Sequence, residues 1–128
     1  MPKKLPPGQA RLNRYRTQYR NNARARSIDW ALSSEEFEEL VSRDCFYCGT
    51  PPAELPLHPS WKTHSTARAN GIDRSDSSVG YTVDNCRTCC SLCNQMKSDR
   101  PAETYIAQAI RVAGRFAAFY RDHKHAFS

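Results

Sequence analysis

The residues with the plainest chemistry in this chain are cysteines. Cys45-Phe46-Tyr47-Cys48-Gly49 and Cys90-Ser91-Leu92-Cys93 each place two thiols three positions apart, a spacing that lets both sulfurs face one ion. Gly49 permits the tight turn that such a knuckle needs. Together the two pairs supply four sulfur ligands, which close a tetrahedral zinc site and leave no open position. Zinc held that way stabilises a fold rather than catalysing a reaction. Cys86-x2-Cys89 is a competing second pair. Cys90 and Cys93 are preferred because they open a predicted helix, whose N-terminus favours thiolates, and Cys86 and Cys89 then become packing residues. A redox Cys-x2-Cys is the other use of the spacing.

A second set of residues, Asp73, Asn85 and Asn94, lies between and just beyond the cysteine pairs. One carboxylate and one amide oxygen brought together make a sparse site of hard ligands. Such a site leaves positions for water and a phosphate oxygen, which suits Mg²⁺ or Mn²⁺.

Charge points the same way. The net charge is +6, yet residues 1–27 carry Lys3, Lys4, Arg11, Arg14, Arg16, Arg20, Arg24 and Arg26 without one acid, so the rest of the chain sums to −2. A basic arm on a near-neutral body is the footprint of a polyanion binder, although a solvated basic face would carry the same pattern. With 128 residues and 39% hydrophobic content, one modest core is the expectation, and a staple such as a metal suits it. No apolar run reaches membrane-spanning length and the N-terminus lacks an apolar signal region, so the chain is expected to be soluble and cytoplasmic, with reduced thiols.

The elements that must position these groups follow from periodicity. Pro2, Pro6, Pro7 and Gly8 precede a helix over about 9–26, with Leu12, Tyr15, Tyr19 and Ala23 on one stripe and Arg16, Arg20 and Arg24 on the next. Ile28, Trp30 and Leu32 alternate as an extended piece. Ser33-x-x-Glu36 forms a capping box ahead of Phe37, Leu40 and Val41. The proline-bearing stretch 50–60 reads as a loop, 62–73 as extended, and Tyr81-Thr82-Val83 as a second strand, making a hairpin with its turn near Gly80. A helix is predicted from Cys90 to about Ser98. Another follows Pro101, and its apolar face (Tyr105, Ile106, Ala109, Ile110, Ala113, Phe116, Phe119, Tyr120) is expected to pack in the core, with a homodimer seam as the alternative. The division expected is a basic N-terminal arm over 1–27 and a zinc-stabilised body over 28–128.

The run Gly71-Ile72-Asp73-Arg74, continuing through Gly80-Tyr81-Thr82-Val83-Asp84-Asn85-Cys86 to Cys93-Asn94-Gln95-Met96-Lys97-Ser98-Asp99, resembles the ββα-metal motif of HNH endonucleases. The likeness is to small phage- and intron-type members, whose motif has an Asp-Arg start and a Cys-Asn end. It covers Cys45 to Asp99, and Tyr15, Tyr19, Asn22-Ala23, Arg26, Trp30, Phe37 and Leu40 look like the leader of those proteins. The resemblance implies an α+β, treble-clef-like HNH core stapled by a four-cysteine zinc site and flanked by N- and C-terminal helices. It also implies a Mg²⁺- or Mn²⁺-dependent hydrolase of phosphodiester bonds in double-stranded DNA, serving homing, restriction or phage DNA processing.

Carried over residue by residue, Asp73 matches the first metal ligand and Asn94 the second. Asn85 matches the central asparagine that braces the hairpin. Arg74 departs from the pattern, because it stands where the family places its general-base histidine and arginine cannot accept a proton from water. It is suited instead to clamping the phosphate. His64, on the segment leading into Asp73, is the expected base, with His58 and Tyr81 behind it. Lys97, with the arginines of the arm, is an expected DNA contact. The missing histidine also admits a non-catalytic zinc-binding nucleic-acid module, and the C-terminal helix admits a partner-binding domain.

Overall fold

Gly8 starts the first helix. Its φ of +83° belongs to the left-handed region, and a Cβ there would stand 2.8 Å from the Thr66 carbonyl oxygen, so glycine is required on both counts. In the computed structural model, which describes residues 4–62 and 66–123, α1 then runs Gln9–Ala25. Its stripe works as the spacing predicts: Ala23 is buried, while Leu12, Tyr15 and Tyr19 pack against the same core.

Ser33 caps α2 (Ser34–Ser42) through the full capping box. The Glu36 N–H donates to Ser33 Oγ at 3.1 Å, and the Ser33 N–H donates to Glu36 Oε1 at 2.8 Å. α2 buries Phe37, Leu40 and Val41. Phe37 is the hub, with Tyr15, Tyr19 and Trp30 rings at 5.8, 5.7 and 5.9 Å. Tilted and edge-on contacts at these separations each contribute about 0.5–1.5 kcal/mol beyond area burial.

Two short antiparallel ribbons complete the body. β1 (Ala53–Glu54), set inside the proline-bearing loop, pairs with β2 (Arg68–Ala69). β3 (Gly71–Arg74) pairs with β4 (Cys86–Cys89), with Asp73 opposite Arg87. α3 (Ser91–Lys97) follows at once, and α4 (Ala102–His123) closes the described chain.

The hairpin's second strand therefore differs from the expectation. It is Cys86–Cys89, and Tyr81-Thr82-Val83 does not form it. Val83–Asn85 is a 3-10 turn capped by Thr82, while Tyr81 instead bridges to Trp30 beside the extended piece. The reason is Asn85. Its amide nitrogen reaches the carbonyls of Asp76, Val79 and Gly80 at 3.1, 3.2 and 2.9 Å, and its oxygen accepts the Asp76 N–H at 3.0 Å. The side chain consumes the hydrogen bonds that a longer ribbon would have used. Gly80 lets this loop touch Asp29, whose carbonyl oxygen would lie 2.6 Å from a Cβ.

The C-terminal helix also departs from the expectation. α4 buries no residue, and Ile106, Ile110 and Phe116 are 41%, 65% and 40% exposed, so its apolar face is not part of the core. Its anchorage is at its start, where Tyr105 donates to Cys93 Sγ at 3.1 Å and its ring meets Tyr47 at 5.4 Å. No described helix is long and apolar enough to cross a membrane.

Two tyrosine hydroxyls fasten α1 to the strand that carries Asp73. Tyr15 donates to the Asn70 carbonyl at 3.1 Å, and the Ile72 N–H donates to Tyr19 Oη at 2.9 Å. Gly71 lies between these anchors, and a Cβ on it would stand 2.6 Å from Tyr19 Oη. Gly71→Ala is expected to cost about 1–3 kcal/mol by overpacking. In a Tyr19→Phe background that increment shrinks, because the clashing oxygen is gone; a double-mutant cycle in chemical denaturation measures the coupling.

Candidate functional site

The knuckle Cys45–Cys48 turns on a hydrogen bond from the Gly49 N–H to the Cys45 carbonyl at 2.9 Å, and Gly49 has φ +77°. Cys90 caps α3, its Sγ accepting the Cys93 N–H at 3.4 Å. These two features bring the sulfurs of Cys45, Cys48, Cys90 and Cys93 within 4.8 Å of one another, with Cys48 and Cys90 sulfurs 3.6 Å apart. A tetrahedral thiolate site with metal–sulfur bonds of about 2.3 Å needs sulfur separations of about 3.8 Å, so the set fits a metal ion.

Burial works against ionising Cys45, but backbone N–H groups from Cys48, Cys90 and Tyr47 outweigh it and bring the thiol down to about 6. Hydrogen bonds from Thr50 lower Cys48. Cys86 and Cys89 are not among these four sulfurs, although Cys89 packs against Cys45 and Cys93; burial pushes Cys86 up to about 11 and Cys89 higher still, as suits packing thiols.

Beside the cysteines, a cavity of about 870 Å³ opens between α1, the β3 strand and α3. Asp73, Arg74, Tyr81 and Asn94 all line it. Asp73 itself is 4% exposed and has a partner on each oxygen. Lys97 Nζ donates to Oδ1 at 2.9 Å and Tyr47 Oη donates to Oδ2 at 2.6 Å. Burial and the adjacent carboxylate push the Tyr47 phenol up, so it remains a donor. Arg74 is half-buried: its Nη1 donates to the Ser77 and Val79 carbonyls at 2.7 and 2.9 Å, and its guanidinium lies 5.4 Å from the Tyr81 ring centre. Asn85 does not reach the cavity; its amide is spent inside the 76–85 loop.

The expected DNA contacts divide. Arg14, Arg20, Arg24 and Arg26 are exposed and Arg16 is half-buried; Arg26 lines the cavity. Arg11 and Lys97 turn inward instead. Arg11 is 4% exposed, donates from Nε to the Pro56 carbonyl at 3.0 Å, and lies over Trp61 and Tyr15. Lys97 is 1% exposed because its ammonium neutralises the buried Asp73. His58 is exposed, with Ser60 as its hydrogen-bond partner, and does not line the cavity. His64 lies outside the described residues.

Sequence reasoning passed over Tyr47, which sits unremarked inside the Cys-x2-Cys, and Gln18 and Asn21 of the α1 cavity wall, and met Asn22 only through the resemblance to the HNH leader. The spacing of Gln18, Asn22 and Arg26 on one helical face was the available signal.

A short antiparallel ribbon running into a helix, with four cysteines closed around one point, is an HNH-like arrangement of a mixed α+β fold. The structure of the rare-cutting HNH restriction endonuclease PacI shares it, at 20% identity and a TM-score of 0.57 over 84% of this chain and 80% of that one. Uncharacterized protein R423 of Acanthamoeba polyphaga mimivirus is 36% identical over 104 residues; the match covers 81% of this chain and 17% of that relative's length. No family model matches the chain.

The buried pair makes a stability prediction. Lys97→Met strands the Asp73 carboxylate without its cation and is expected to cost about 3–5 kcal/mol, seen as a lower denaturation midpoint. Asp73→Asn combined with Lys97→Met removes both charges and recovers most of the loss.

Proposed function

We propose that this chain is a DNA endonuclease of the HNH type, hydrolysing phosphodiester bonds with Mg²⁺ or Mn²⁺ and stapled by zinc at Cys45, Cys48, Cys90 and Cys93. The observation that carries the reading is the meeting of Asp73 from β3 and Asn94 from α3 in one cavity that Arg74 also lines. The HNH-like fold supports it.

Asp73 and Asn94 would hold the divalent ion. Among the described residues each Asp73 oxygen has one hydrogen-bond partner and keeps a second acceptor position, so the carboxylate remains competent as a ligand. The ion, when bound, would neutralise charge on the phosphate and stabilise the leaving 3′-oxygen. Tyr47 and Lys97 fix the carboxylate's orientation. Arg74 commits Nη1 to the loop and, among the described residues, has Nε and Nη2 left to hold a phosphate oxygen. The exposed arginines of α1 bind the duplex backbone, a contact that weakens steeply with salt. His64 is the proposed base, and Tyr81 is the alternative that the cavity wall offers.

Purified protein with supercoiled plasmid and Mg²⁺ or Mn²⁺ should yield nicked or linear DNA, and EDTA should stop it. Asn94→Ala, whose side-chain amide makes no hydrogen bond among the described residues, is expected to lower the rate about 10²-fold or more while the protein stays folded. His64→Gln is expected to lower kcat about 10²-fold with DNA affinity kept. If Tyr81→Phe has that effect and His64→Gln does not, the base is Tyr81. Retained cleavage in Asn94→Ala and Asp73→Asn alike would sink the metal assignment.

The non-catalytic rival predicts salt-sensitive binding with no cleavage under any divalent ion. Stripping zinc with a strong chelator, or protonating the thiolates by acidification, should unfold the knuckles and lower the melting temperature; re-adding zinc at neutral pH should restore it.

A further inference from the structure

We infer that α1 is a base-reading helix as well as a phosphate grip, and that Gln18, Asn21 and Asn22 recognise base edges of duplex DNA next to the bond being cut. The inference rests on the endonuclease reading and adds to it the residues that choose where cleavage falls.

The chain has six asparagines. Three have their amides committed to structure: Asn13 accepts from Gln9, Asn70 donates to the Arg43 and Thr50 carbonyls, and Asn85 braces its loop. The other three, Asn21, Asn22 and Asn94, all line the 870 Å³ cavity. Among the described residues, no hydrogen bond takes up their side-chain amides. Asn94 belongs to the cutting site, and Asn21 and Asn22 stand across the cavity from it on α1, with Gln18 one turn earlier.

Gln18, Asn22 and Arg26 repeat every four residues, so this face is continuous. The tyrosine stripe beside it is fixed: Tyr15 and Tyr19, which line the same cavity, hydrogen-bond to the backbone at Asn70 and Ile72, which flank the start of the strand carrying Asp73. The amides are therefore held at a set position relative to the phosphate that Asp73 and Asn94 would engage.

The chemistry of the wall is divided. Arg26 and Arg74 suit phosphate, whereas a neutral amide, with a donor and an acceptor side by side, suits a base edge. Adenine is the base that an asparagine or glutamine pairs with bidentately.

The test uses the full zinc-loaded chain, Mg²⁺ or Mn²⁺, and a duplex library randomised over a window, with the cut ends sequenced. The unsubstituted protein is expected to favour particular bases, adenine among them, within a few positions of the cut. Asn21→Ala combined with Asn22→Ala, which an exposed helix accepts readily, is expected to flatten that preference about tenfold or more. The slope of log affinity against log salt stays as it was, since amides neutralise no phosphate.

Cut ends without base preference, or a preference that the double variant keeps, would overturn the inference. A shallower salt slope with unchanged preference would overturn it too, by making these side chains backbone contacts. If the protein cuts nothing, the endonuclease reading fails separately, and selection of bound duplexes from the same library decides. An enriched base pattern that the double variant loses upholds the reading face; no enrichment, or enrichment indifferent to the substitutions, removes it.

Discussion

One carboxylate ties the structure together. Asp73 is buried on β3, and its two oxygens are held from opposite parts of the fold, by Tyr47 in the first cysteine knuckle and Lys97 at the end of α3. A buried charge of this kind is tolerable only when paired and hydrogen-bonded. Strand, knuckle and helix must therefore arrive together, or the carboxylate stays unpaired in a low-dielectric interior. The four-sulfur cluster makes that arrival possible, because it closes the same knuckle against the same helix. The staple and the site are thus mechanically one object, joined through the Tyr47 phenol and through α3, which carries both Cys93 and Lys97.

α1 relates to this object differently from a mobile arm. Its tyrosine stripe shares the Phe37-centred core, and its hydroxyls seize the backbone on either side of Gly71. The arginines on its outer side remain where solvent and a polyanion can reach them. One helix therefore packs through its tyrosine stripe, presents charge on its outer side, and walls the cavity with those tyrosines and the amides beside them. That division follows from a 3.6-residue repeat that sets the row of Gln18, Asn22 and Arg26 beside the tyrosine stripe.

Much of this was legible beforehand because it is local or periodic. The capping box at Ser33 and Glu36, the stripe of Leu12, Tyr15, Tyr19 and Ala23, and the choice of Cys90 and Cys93 over Cys86 and Cys89 depend on near neighbours or helix ends. What escaped depends on distant partners. Cys86-Arg87-Thr88-Cys89 carries little strand propensity and becomes a strand because β3 lies beside it and Asn85 has already claimed the preceding loop. Lys97 looks like any surface lysine until a carboxylate 24 positions earlier is placed against it. Arg11 looks basic and free until Pro56, Trp61 and Tyr15 enclose it. The apolar stripe of α4 was readable as a stripe, but whether a stripe is covered is a matter of tertiary placement.

The hydroxyl anchors of α1 span 55 and 53 positions of chain, and the sulfurs of Cys48 and Cys90 meet across 42. During synthesis, then, α1 leaves the ribosome with its docking strand still inside the tunnel or not yet made, and the second half of the sulfur set follows later again. Its tyrosines must wait in solvent, while the arginines beside them keep the segment soluble and mutually repelled. Assembly is gated by the emergence of residues near 93, at which point strand, lysine and thiols become available almost at once.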